Sequence, residues 1–302
     1  MNVLVTGGAG LIGMAARDAL AARGHKVIAI DITDYGRGDK GLTLVGLDLR
    51  EPLEALIDAE GIEAIVHAGA ISGPMLAKGQ PLLLVSANID GTAMLLDLAR
   101  MKGMRRFVFC SSISVYGSVG KDLIGEERPL HPTSVYGATK VACEQLIEGF
   151  AAEFGLSGVS LRIGRVYGPY RRANCHLGGI IRDANAGRVT EIGCTPDFPF
   201  HYVYVDDVAD AIVTALDAKT IPSPAYNVGG GSALPMPEIA AIARRTIPNA
   251  DIRLVEGEDD VPDVQTAFDL SRIRSELGWA PTRDIARGLS AYAAAIDAGR
   301  AA

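Results

Sequence analysis

Cysteine is scarce in this 302-residue sequence, and the four copies present, Cys110, Cys143, Cys175 and Cys194, stand far apart with no C-x-x-C pair. That argues against a zinc ribbon or a dithiol redox motif and fits reduced thiols in a cytoplasmic protein. The five histidines show no H-x-H or H-E-x-x-H spacing, so no metal site built by the protein is expected. Basic stretches are missing too. The formal net charge is −7, and nucleic-acid binders carry a basic stripe, so a small diffusible partner is expected instead. No apolar run reaches the roughly 18 residues of a membrane span. The opening "MNVLVTGGAG" enters a strand pattern directly, without the form of a leader peptide.

What the chain has in abundance is apolar residues, 48%, and glycine, 35 copies. Both suit a well-buried α/β protein with many tight turns. Unbroken apolar runs at 2–6, 26–31, 42–48, 64–67, 106–110 and 158–163 read as strands buried on both faces. Helical patterns at 11–23, 51–60, 86–102 and 134–154 alternate with them, the order of a doubly wound parallel sheet. After residue 168 the pattern loosens. The expectation is a dinucleotide-binding domain over 1–168, to which 201–228 returns as a strand and a helix. Residues 169–302 then form mainly a small, discontinuous substrate domain over the carboxyl edge of the sheet, where such sheets bind ligands.

"VTGGAGLIG" (5–13) links the first strand to the first helix. Gly7, Gly10 and Gly13 allow a tight turn, close approach of backbone to a pyrophosphate, and close packing of helix on strand. Leu11 and Ile12 open the helix, whose free N–H groups and positive dipole end would face the phosphates. Asp31 ends the second strand, where a carboxylate can accept the ribose hydroxyls of NAD. A 2′-phosphate about 4 Å away would cost on the order of 4 kcal/mol at an effective dielectric near 20, so NAD is expected over NADP; Arg37 nearby is the one residue that favours the opposite. Asp48 ends the third strand and either addresses the adenine or caps a turn.

"SVYGATK" (134–140) places Tyr136 four residues before Lys140. On a helix these share a face, so both can reach a nicotinamide ribose. A free phenol ionises near pH 10, and a base working near neutrality needs about 4 kcal/mol of help. An ammonium and a pyridinium cation close by both supply it. Ser112, at the end of the fifth strand, can hydrogen-bond a substrate hydroxyl.

These stretches, with "DL" (48–49), "VHAGA" (66–70), "NIDGT" (88–92), "SSISVYG" (111–117), "VYGP" (166–169), "YVDDVADAI" (204–212), "YNVGGG" (226–231) and "LGWAP" (277–281), resemble the extended short-chain dehydrogenase/reductase family in its NAD-dependent epimerase/dehydratase branch. The resemblance spans nearly the whole chain. It implies a Rossmann-type doubly wound sheet, NAD as cofactor, and Ser112, Tyr136 and Lys140 as the catalytic set. It also implies that Asp48, Leu49, His67, Ala68, Gly69 and Ala70 line the cofactor trough with support from Asn88, and that a homodimer forms through the helices at 86–102 and 134–154, whose extra apolar residues equally fit simple packing on the sheet.

The departures from that family bear on the substrate. Where its dehydratases resemble one another in carrying an acid and a base after the catalytic hydroxyl, this chain has Ile113 and Ser114, which argues against water elimination. Phe200 stands where an arginine for a nucleotide diphosphate would fall, and "EGEDDVPDV" (256–264) is acidic where a second would be expected. Arg165 precedes "VYGP" in place of an asparagine, with Arg171 and Arg172 close behind; a guanidinium fork suits a carboxylate. By the resemblance Ser72 would take a substrate-facing position, and "HAGAIS" is similar to a stretch of uronate dehydrogenases. His176 and His201 read as packing residues. The expected activity is NAD-dependent hydride transfer at a secondary hydroxyl of a free sugar, sugar acid or similar polyhydroxy compound. Two alternatives stand beside it: a nucleotide-sugar 4-epimerase with an atypical diphosphate site, and a non-catalytic NAD-binding sensor.

Overall fold

The structure, a computed structural model, describes residues 1–34, 44–45, 53–72, 79–120, 122–171, 175–257, 259 and 263–299. Six strands arise in the first half: β1 (Asn2–Thr6), β2 (Lys26–Asp31), β3 (Leu44–Val45), β4 (Ala64–His67), β5 (Arg106–Ser112) and β6 (Gly158–Ile163). Then come β7 (Arg165–Tyr167), β8 (Val189–Cys194), β9 (Pro199–Phe200), β10 (Tyr202–Tyr204), β11 (Ala225–Val228), β12 (Leu234–Pro235) and β13 (Asp251–Glu256). The helices in chain order are α1 (Leu11–Ala22), α2 (Glu54–Glu60), α3 (Pro81–Val85), α4 (Gly91–Met101), α5 (Val135–Phe154), α6 (His176–Asn185), α7 (Val205–Asp217), α8 (Met236–Thr246), α9 (Ser271–Leu277) and α10 (Ile285–Asp297).

One seven-stranded sheet carries the fold, in the order β11-β6-β5-β4-β1-β2-β3, with every pairing parallel. Its strands are apolar on both faces because both faces are covered. Val3, Val5, Val66, Val108 and Leu161 meet α1 and α7 in one core, while Leu4, Ile30, Ile65, Phe107 and Phe109 meet Ile57, Leu95, Leu96 and Ile147 on the other side. The strand order reverses between β1 and β4, which opens a crevice at their carboxyl ends. A third core, around Tyr167, Leu177, Ile180, Met236, Ile239 and Leu289, joins α6, α8 and α10.

The first-half strands fall where the apolar runs predict them, and α5 covers 135–154 as its periodicity implies. Ser134 caps α5 by accepting a hydrogen bond from the Gly137 N–H at 3.1 Å, and Gly155 ends it in the left-handed conformation. The helix expected at 86–102 begins earlier. Pro81 starts α3, a single π turn at Ser86–Asp90 follows, and α4 continues to Met101. Among the described residues this stretch alone is long and apolar enough by composition to cross a membrane, yet nearly half of it is buried within the fold. Several elements escape the periodicity, among them β7, β9, β12 and α6, and also β8 and β11. "AYNV" is the edge strand β11, and "VTEIGC" forms β8, which pairs with β13. The strand before α7, β10, pairs with β7 and not with the central sheet.

Candidate active site

At the carboxyl end of β1, Gly7 adopts φ +66°, and a Cβ there would lie 2.7 Å from the Gly69 backbone. The loops after β1 and β4 are therefore in backbone contact and form one floor. A Cβ on Gly13 would stand 2.0 Å from the Gly7 carbonyl oxygen, so α1 can seat on the turn only without one. Among the described residues no side chain caps α1, and its first-turn N–H groups stay open toward the crevice. Asp31, at the tip of β2, accepts the Ala9 N–H at 2.9 Å and so joins the glycine turn to the second strand. Arg17, which the sequence did not single out, donates to the Gly8 carbonyl at 3.0 Å. Asp48 and Leu49, like Arg37 and Arg172, lie outside the described residues. A turn without side chains, an uncapped helix start and a carboxylate at the second strand end fit the pyrophosphate and ribose of a dinucleotide.

Under that floor runs a chain of hydrogen bonds. The Gly69 N–H donates to Thr6 Oγ1 at 3.1 Å, and Thr6 Oγ1 meets His67 Nδ1 at 2.7 Å. His67 Nε2 meets Thr92 Oγ1 at 2.9 Å, and that hydroxyl donates to the Asn88 carbonyl at 2.6 Å. Because Thr92 spends its proton on Asn88, His67 donates from Nε2, and in the neutral ring that burial enforces Nδ1 accepts from Thr6 Oγ1. Burial, with Lys140 adding to it, lowers the His67 pKa to about 3. His67 is thus a buried brace beneath the loop that carries Ala68, Gly69 and Ala70.

Asn88 sits in the π turn, which swings its side chain inward. Its Oδ1 accepts the Ile71 N–H at 2.9 Å and its Nδ2 donates to Thr139 Oγ1 at 3.1 Å, while Thr139 donates to the Tyr136 carbonyl at 2.8 Å. Asn88 therefore ties the loop after β4 to the helix that carries Tyr136 and Lys140. A π turn at such a place is common near functional sites. Ser72, next to Ile71, is exposed.

Tyr136 and Lys140 lie one turn apart on the face of α5 turned to the sheet, 9% and 4% exposed. The Tyr136 ring packs on Leu84 and Ile71. Lys140 Nζ donates to the Cys110 carbonyl at 2.8 Å and stands 4.5 Å from the centroid of Phe109 and 5.8 Å from that of Tyr136. Ser112 ends β5, two residues beyond that carbonyl. Its Oγ accepts the Ser114 N–H at 3.2 Å and donates to Ser114 Oγ at 3.2 Å. The three chemical groups expected from sequence thus gather around the end of β5.

On the substrate side the expectation of a free guanidinium fork needs correction. Arg165 makes two bonds to Asp259, 2.9 and 2.7 Å, and its Cζ lies 5.1 Å from the centroid of Phe200. An internal carboxylate already occupies the geometry a substrate carboxylate would need. Arg171 donates to the Val166 carbonyl at 2.8 Å, and its buried Nε has no partner among the described residues. Phe200 is buried among Phe198, Tyr202 and His176. His176 Nε2 lies 3.5 Å from Asp259. His201 packs against Phe268, and burial lowers its pKa to about 4.

Residues 3–229 match the model of the NAD-dependent epimerase/dehydratase family. The chain belongs to that family. A UDP-glucose 4-epimerase of Mycolicibacterium smegmatis is 31% identical, over 96% of each chain. A UDP-glucose 4-epimerase of Corynebacterium glutamicum is 29% identical over 93% of this chain and 91% of its own. Among solved structures, UDP-glucose 4-epimerase of Thermotoga maritima with UDP-glucose superposes with a TM-score of 0.88 at 25% identity, covering 99% of both chains. UDP-glucuronic acid 4-epimerase of Bacillus cereus, in complex with UDP-glucuronic acid and NAD, gives 0.85 at 25% identity over 99% of both. Family and neighbours make this chain an NAD-dependent enzyme of carbohydrate chemistry, which sets the sensor reading aside.

Proposed function

We propose that this enzyme transfers hydride from a secondary hydroxyl of a free sugar, sugar acid or similar polyhydroxy compound. Bound NAD supplies the hydride acceptor. Gly7, Gly10, Gly13 and the open start of α1 hold its pyrophosphate, and Asp31 its ribose. Tyr136 Oη accepts the proton of the reacting hydroxyl. Lys140, fixed by the Cys110 carbonyl, holds its ammonium 5.8 Å from the centroid of the Tyr136 ring, on the side where both can face the nicotinamide ribose. Ser112 turns its hydroxyl from Ser114 to the substrate oxygen and supports the developing carbonyl.

One observation carries the choice of substrate. Phe200, in the place expected to hold an arginine for a diphosphate, is buried among aromatic rings, and its neighbouring cation Arg165 is neutralised by Asp259. A nucleotide diphosphate carries about two negative charges and needs cations or N–H donors at that point. The second reading, a nucleotide-sugar 4-epimerase, is favoured by the activities named for the relatives. We further propose a cytoplasmic homodimer, consistent with four unpaired cysteines among the described residues and with exposed Leu82 and Leu83 of α3 and Val135 of α5.

The test is a panel of aldoses, uronates and UDP-glucose, each with NAD⁺. Net NADH from a free sugar or sugar acid is expected. Interconversion of UDP-glucose and UDP-galactose without net NADH would overturn this reading in favour of the second.

A further inference from the structure

Tyr136, Lys140 and Glu144 follow one another at intervals of four along α5, so all three lie on its sheet-facing side. Glu144 is fully buried. It takes no part in the chemistry described above, and the sequence pattern did not mark it.

Its partners form a row across the sheet. Ser111 of β5 is in register with Arg162 of β6, and Arg162 with Asn227 of β11. Glu144 stands over this row. Its Oε1 accepts a hydrogen bond from Ser111 Oγ, and its Oε2 accepts from Arg162 Nη2 at 2.8 Å and Nε at 3.0 Å. The far side of the guanidinium donates from Nη1 to Tyr116 Oη and to the Glu126 carbonyl, both at 2.9 Å, and Tyr116 Oη donates to Asn227 Oδ1 at 2.8 Å. The next rung of the ladder pairs Ser112 with Ile163.

Two successive turns of α5 therefore clip two successive residues of β5: Lys140 takes the Cys110 carbonyl and Glu144 takes the Ser111 hydroxyl. A single clip leaves the helix free to pivot over the strand; two fix its height and its rotation. We propose that Glu144 is a positioning residue, holding α5 against β5 so that Tyr136 and Lys140 keep their distance from Ser112. The proposal rests on the assignment of those three residues to the hydride-transfer site.

The experiment compares Glu144→Gln and Ser111→Ala, the latter leaving the Arg162 pair intact, with Leu289→Ala as a destabilised control in the other core. Each protein is loaded with NAD⁺. Turnover is measured on whichever panel substrate the parent protein uses, and hydrogen exchange on peptides covering 110–114 and 134–144. Misplacement of reacting groups by about 1 Å lowers rate by up to about 100-fold. We expect kcat to fall by on the order of 10- to 100-fold in Glu144→Gln and less in Ser111→Ala. NAD⁺ affinity should stay near the parent value, with faster exchange confined to those two segments. Should Glu144→Gln not fold, Ser111→Ala alone decides by the same readouts. Parent-like kcat and exchange, or losses that merely follow thermal stability as in the control, would overturn the proposal. If the panel yields no substrate, the functional reading fails, and the exchange data still judge the role of Glu144.

Discussion

Asp31 acts at the scale of one side chain. Its carboxylate accepts the Ala9 N–H, so removing its charge and removing its hydrogen bond are separable. Asp31→Asn keeps an acceptor oxygen and deletes the repulsion of a 2′-phosphate, on the order of 4 kcal/mol at 4 Å and an effective dielectric near 20. The parent should prefer NAD⁺ to NADP⁺ by at least about tenfold, and the variant should lose most of that preference, as read from Kd for both dinucleotides. His67 allows a second prediction. Its folded pKa, about 3, lies below the ordinary 6.5, so between those values the unfolded chain binds the proton and the folded chain does not. The stabilisation is complete above pH 6.5 and is lost progressively as pH falls toward 3. Denaturant midpoints should drop between pH 7 and 4, and His67→Gln should flatten that slope while lowering stability at neutral pH. At this scale the sequence was informative where spacing encodes geometry: the glycines, Asp31, and Tyr136 with Lys140. It was silent on Thr6, Thr92, Glu144 and Arg162, because their roles come from contacts between strands and helices that no local spacing records. It misled on Arg165, whose partner Asp259 lies 94 residues away.

Elements place these side chains, and the junction of β1 with α1 is the least tolerant. A methyl on Gly13 would fall 2.0 Å from the Gly7 carbonyl oxygen, and the obstacle is backbone that cannot step aside. Gly13→Ala should cost on the order of 1–3 kcal/mol through overpacking, lift α1 off the turn, and abolish measurable NAD⁺ binding by calorimetry. The π turn before α4 is the converse case. Its polar residues Ser86, Asn88 and Asp90 interrupt an apolar helix, and Asn88 spends its amide on Ile71 and Thr139. Helical periodicity showed a helix there but not its π turn, in which Asn88 is the buried residue. β8 and β11 were missed for related reasons. Val189 and Glu191 of β8 are exposed, so it lacks a long apolar run, and the polar Asn227 interrupts the short β11.

For the whole molecule, the doubly wound sheet was legible because strands buried on both faces must read as apolar runs between helices. We propose a division into a dinucleotide domain and a substrate domain that follows the cores: α7 and β11 pack with the sheet, while α6, α8 and α10 share the third core. Substrate identity was less legible, since it depends on which cations remain unneutralised once loops meet. The whole account rests on Tyr136 as proton acceptor in an NAD-dependent reaction. The most direct measurement is turnover of the panel by the parent and by Tyr136→Phe, followed both as NADH and as epimerised product, with NAD⁺ affinity measured in parallel. The account predicts a loss of about 100- to 10,000-fold in kcat with NAD⁺ binding retained; turnover in the variant within a few-fold of the parent would contradict it.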